Sequence, residues 1–167
     1  MSNIPDSSTF TFLATSDISA RTKGRAVSTK DFKQGTSVGW VPANLGIGPL
    51  GHIVSDIPYD STGDIRLLAD PHSLFHLKGI PNLPDFSLCF ADLVNNDGTA
   101  WESCSRTFLK NAVEELKESY GIKLTASFEH EFTERNTSEA THPFSFSSFV
   151  DGEPVGGTVF DILEKAG

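Results

Sequence analysis

An α+β fold is predicted by three features of this 167-residue sequence. Short alternating runs rich in β-formers crowd the stretch from Thr9 to Val94. The strongest helical period lies over 105–120, where Phe108, Leu109, Ala112, Val113 and Leu116 form one apolar stripe. That helix leads, through a glycine stop, straight into a further alternating run, Leu124 to Thr133. Strands come first and helices are added later, which is the α+β order.

In chain order, residues 1–8 read as a tail and Thr9–Thr15 as a strand. Asp17–Gly24 reads as a turn closed by Gly24, and Arg25–Thr29 as the returning strand of a hairpin. Ser37–Val41 is a further short strand. Residues 42–63, punctuated by Gly and Pro, form a long loop of the kind that often carries function. Asp64–Asp70 is a strand closed by Pro71, and the mostly apolar Phe86–Val94 suits a central strand. Asn95–Gly98 is a turn signal. Ser103 or Ser105 can cap helix 105–120, and Gly121 ends it. Phe144–Phe149 alternates briefly, and Thr158–Lys165 is a short amphipathic helix whose apolar side expects a partner and predicts self-association.

Hydrophobic residues make up 38% of the chain and include 13 Phe, enough for a core. Twenty-two acidic against 13 basic residues leave a net charge of −9, which disfavours nucleic acid and anionic membrane as partners. No apolar run approaches the ~18 residues of a membrane span, and the start carries no signal-peptide pattern. A cytoplasmic location follows, with Cys89 and Cys104 as free thiols. His72 and His76 share helical spacing, but Pro71 argues against a helix there, so no metal site is assigned to them.

Within Leu124–Thr133, strand alternation puts Glu129 and Glu131 on one face with their Cα atoms about 6.6 Å apart. On spacing alone this is the polar outer face of a half-buried antiparallel strand. The same spacing also lets two carboxylates converge on one divalent cation or hold two as neighbours.

The order of these pieces resembles the glutamine synthetase family. The matching segments are Gly63–Pro71, Cys89–Val94 with Asp97-Gly98, Ser105–Lys110 and its helix, and Phe128-Glu-His-Glu-Phe132. The resemblance implies a β-grasp-like N-terminal domain over 9–103, followed over 104–167 by the start of an incomplete α/β catalytic domain. It implies an ATP-dependent ligase that joins glutamate to ammonia or an amine through a γ-glutamyl phosphate, with two Mg²⁺ or Mn²⁺ ions. By the same resemblance Glu129 and Glu131 are metal ligands, and Asp64 lies in a loop facing a neighbouring subunit of a homo-oligomeric ring. The ATP- and glutamate-binding residues are expected beyond Gly167, so residues 1–167 alone are expected to be inactive.

Three departures stand out. The family's Asp-Gly-Ser-Ser loop is absent from 42–63, Ser105-Arg106 replaces Pro-Arg, and Ser127-Phe128 stands before the first metal glutamate. They make an amine acceptor an alternative to ammonia. Two competing readings are a degenerate paralogue acting as a non-catalytic assembly or regulatory module, and a small metal-dependent hydrolase built on Glu129, Glu131 and a His.

Overall fold

Strand β6 (Phe86–Val94) is the spine of the molecule, because it has partners along both edges. The computed structural model describes residues 9–17, 19–48, 50–59, 61–81, 84–129 and 145–166. Along one edge β6 runs parallel to β1 (Phe10–Ser16), from Thr11 opposite Ser87 to Ala14 opposite Phe90. Along the other edge lie β4 (Ile65–Ala69) and the short β5 (Phe75–Leu77), both antiparallel to it. Strand β2 (Thr22–Ser28) pairs with β1 as a hairpin, and β3 (Ser37–Trp40) pairs with β4. The six strands form one mixed sheet in the order β2-β1-β6-β4-β3, with β5 beside β6. A hairpin whose first strand later gains a parallel neighbour is the β-grasp-like arrangement expected from the sequence.

Register explains where the core sits. Leu13 opposite Cys89, Leu67 opposite Leu93 and Ala69 opposite Ala91 place these side chains on one face. Phe32, Trp40, Leu45 and Cys104 close over them. Between β4 and β5, Pro71 cannot extend the ladder. The Asp70 amide donates to Phe90 O at 2.8 Å, and the Phe90 amide donates to Ser73 Oγ at 2.9 Å, so a serine hydroxyl replaces the missing backbone acceptor.

The β1–β2 connection is organised by a buried charge. Asp17 Oδ1 accepts from the amides of Ser19 and Arg21, both at 2.9 Å, while Oδ2 meets Lys23 Nζ at 2.7 Å. Lys23 also donates to Asn44 O and Ile47 O, tying the hairpin to the 3₁₀ turn Pro42–Gly46.

Helix α1 (Ser105–Tyr120) has the predicted ends, with Gly121 in the left-handed conformation. Its cap is Cys104, not a serine: the sulfur accepts from the Thr107 amide. Several expectations are corrected. Gly24 lies inside β2 and does not close the turn. Strand β5, three residues long and set between prolines, carries too short a run for the sequence to mark it. Of the alternating piece expected over 144–149, residues 146–149 belong together with 158–165 to one helix, α2 (Phe146–Ala166). Ser145 Oγ accepts from the Ser148 amide and starts α2, so Phe146 and Phe149 follow a helical rather than an alternating period. The strand expected over 124–133 is absent over its described part: residues 121–129 have no regular structure, and Phe128 is 83% exposed. A strand needs a ladder partner, and none pairs with this segment among the described residues.

Candidate functional site

Asp64 is exposed at the entry to β4, and its carbonyl accepts from Asn96 Nδ2 at 2.9 Å, which anchors the end of loop 42–63 to the turn at 95–98. The loop itself is built by Pro42–Gly46 and an isolated bridge between Ile47 and Ile53. An open hollow of about 440 Å³, lined by Ile53, Val54, Ile57 and Tyr59 with Asp56 beside them, lies along its second half. Glu129 is exposed at the end of the unpaired segment 121–129, and Glu131 lies outside the described residues. Among the described residues, no three His, Cys, Asp or Glu side chains converge as a metal site. The described donors therefore do not fit a metal by themselves. His72 sits in a 3₁₀ turn and His76 in β5, so helical spacing does not apply to them. His76 Nδ1 lies 2.7 Å from the buried Ser87 hydroxyl. Burial first, and Lys78 second, push its pKa below the usual value.

What the structure does bring together is a set of charges that the sequence displayed only as separate motif letters. Asp70 follows β4, Asp92 is on the outer face of β6, and Arg106 and Lys110 share one side of α1 one turn apart. Arg106 donates from Nε to Asp92 Oδ1 at 3.0 Å and from Nη2 to Asp70 Oδ2 at 2.6 Å. Lys110 Nζ reaches Asp92 Oδ2 at 2.7 Å and Asp70 Oδ2 at 3.5 Å. The guanidinium lies over the Phe90 ring, 5.4 Å from its centre, in cation–π range. Asp70 and Arg106 are 36 positions apart, so spacing could not pair them. The available signal was weaker: a carboxylate at the end of one strand, another within an apolar strand, and two cations at i, i+4.

Asp92 and Asp17, both in ion pairs, are among the carboxyls held below their ordinary pKa of 3.8. Burial pushes Asp92 up, but the bonds from Lys110 and Arg106 outweigh it. For Asp17, burial likewise opposes, while Lys23 and the amides of Arg21 and Ser19 prevail. The unfolded chain takes up these protons near 3.8, whereas the folded chain resists them. Their stabilisation is therefore present above that pH and lost as pH falls through the lower folded values. The urea midpoint is expected to hold from pH 7 to 5 and to drop between pH 4 and 2.5, with a smaller drop in Asp92→Asn. An unchanged midpoint across that acid range would contradict the assignment.

Comparison with known proteins agrees with this architecture. Residues 6–101 match the family described as the glutamine synthetase N-terminal domain. A solved structure described as a novel glutamine synthase homolog superposes with a TM-score of 0.75 at 24% identity, over 99% of this chain and 40% of that one. A GmaS/ADP complex aligns over 66% of this chain and 23% of its own at 18% identity, with a TM-score of 0.48. A Plasmodium falciparum glutamine synthetase aligns over 66% and 20% at 13% identity, with a TM-score of 0.47. No curated protein sequence matches the chain. This chain thus spans less than half the length of each of these solved relatives. No helix among the described residues is long and apolar enough to cross a membrane. The mixed sheet with its parallel β1–β6 pair, and a family match across residues 6–101, place the chain in the glutamine synthetase family as an N-terminal domain.

Proposed function

We propose that this chain serves as the N-terminal portion of an ATP-dependent ligase that joins glutamate to ammonia or an amine through a γ-glutamyl phosphate. The observation that carries the reading is the family match over residues 6–101. In this reading the catalytic domain begins near Cys104, and α1 leads into the segment bearing Glu129 and Glu131. Those two carboxylates contribute ligands to a two-metal site for Mg²⁺ or Mn²⁺, and further protein supplies the remaining donors. When bound, such ions neutralise charge on transferring phosphoryl groups. This chain's own part is to present the carboxylates and, through exposed Asp64, to reach a neighbouring subunit of a ring. The exposed Phe108, Leu109, Phe160 and Leu163 support burial against further protein. The buried free thiols of Cys89 and Cys104 suit a reducing cytoplasm.

Glu129→Gln and Glu131→Gln, introduced into the polypeptide that also carries an ATP site, are expected to abolish most glutamate- and amine-dependent phosphate release and to weaken Mn²⁺ binding. Near-normal turnover and Mn²⁺ affinity in both variants would reject the ligand assignment. A polypeptide with no such turnover before mutation would favour the non-catalytic assembly module instead.

A further inference from the structure

We propose that Arg106 and Lys110, gripped by Asp70 and Asp92, form an electrostatic joint that fixes the direction in which α1 leaves the sheet. The joint thereby sets where segment 121–129 is delivered. Three observations carry this.

First, α1 has no buried residue, and Phe108 and Leu109 are 76% and 60% exposed. Val113 and Leu116 are only half-buried. Apolar packing, which fixes most helices on most sheets, is thin here, and the well-defined contacts are charged.

Second, the geometry is triangulated. One planar guanidinium bonds two carboxylates, one within β6 and one just past the end of β4, and the Phe90 ring beneath it limits tilt. Lys110, one turn further along, bonds Asp92 as well, and this second anchor opposes rotation about the helix axis. A single surface pair would do neither. The Arg106 and aspartate side chains retain only about a quarter of their exposure, so solvent screening is reduced.

Third, the lever is long. From Arg106 to Tyr120 the helix rises about 21 Å, so a 10° tilt (roughly) at the joint moves the far end by about 4 Å. Functional groups need placing to within about 0.5 Å. Arg106 is thus a positioning residue that acts through α1. What the joint delivers, the Glu129 carboxylate, rests on the ligase reading; the joint itself does not.

The test is a distance measurement on the full chain. Spin labels at Lys30→Cys and Glu118→Cys report the far end of α1 against the sheet, since Cys89 and Cys104 are buried. A single narrow distance is expected in the parent. Arg106→Gln should spread or shift it by about 4 Å, while amide exchange in β1 and β6 stays protected. Arg106→Lys should restore part of the order, because an ammonium keeps the charge but lacks the rigid planar fork that bonds two carboxylates in a fixed geometry. If Arg106→Gln fails to fold, Lys110→Gln, which removes the more exposed second anchor, should broaden the distance instead. A narrow distance unchanged in Arg106→Gln, or unchanged in Lys110→Gln where the first variant fails to fold, overturns the proposal. Loss of Glu129's role in turnover, with the distance result as expected, would remove the ligase reading and leave the joint standing.

Discussion

Replacing Lys23 by methionine is expected to cost about 3–5 kcal/mol of stability, the usual penalty for leaving a buried charge without its partner. The Asp17 side chain is only 1% exposed and that of Lys23 19%. Methionine keeps the stem and the volume but removes the cation, and it also strips two carbonyls, Asn44 O and Ile47 O, of a donor. The consequence reaches beyond the hairpin, because Lys23 is the link that holds the 3₁₀ turn Pro42–Gly46 against β2. Asp17→Asn can still accept from the Ser19 and Arg21 amides. The double variant Asp17→Asn/Lys23→Met should therefore be more stable than Lys23→Met alone. Urea unfolding of the three variants reads this directly. A cost below about 1 kcal/mol for Lys23→Met would place the pair with ordinary surface ion pairs.

Gly24→Ala is expected to cost about 3 kcal/mol or more. Propensity alone predicts the opposite, since alanine in a strand is better than glycine by roughly 0.5–1 kcal/mol. The clash decides the sign. A Cβ at this position would overlap the Leu13 carbonyl oxygen, with the Phe12 ring 2.9 Å away. That carbonyl belongs to β1, which is paired on both edges and cannot retreat. Gly39 in β3 supplies the control, because a Cβ there meets only Arg25 Nη1, at 3.9 Å. Thermal unfolding should show a large loss for Gly24→Ala and little change for Gly39→Ala. Equal melting temperatures in the two variants would contradict the close approach.

These two residues also mark where the sequence could be read and where it could not. In the sequence Gly24 reads as turn punctuation, the commonest meaning of a glycine after polar residues, whereas it serves the close approach of two backbones. The central strand was legible because Phe86–Val94 is apolar on both faces, as a strand with two neighbours must be. Helix α1 was legible from its stripe and its Gly121 stop, but its cap was not, because a cysteine sulfur is a rare acceptor. Helix α2 is legible only over 158–165, because Pro154 and Gly152, Gly156 and Gly157 ordinarily end helices and Phe144–Phe149 alternates. The charged joint was invisible for a different reason: its carboxylates and cations meet only after the strands have paired. Glu129 lies between these cases. Alternation pairs it with Glu131, but alternation predicts a strand only where a neighbouring strand accepts it.

The most direct test of the central proposal is a structure of the polypeptide carrying this chain, soaked with Mn²⁺. Metal density is expected with carboxylate oxygens of both Glu129 and Glu131 at about 2.0–2.2 Å. Density that engages neither residue, or a bound Mn²⁺ whose ligands lie wholly elsewhere, would contradict it.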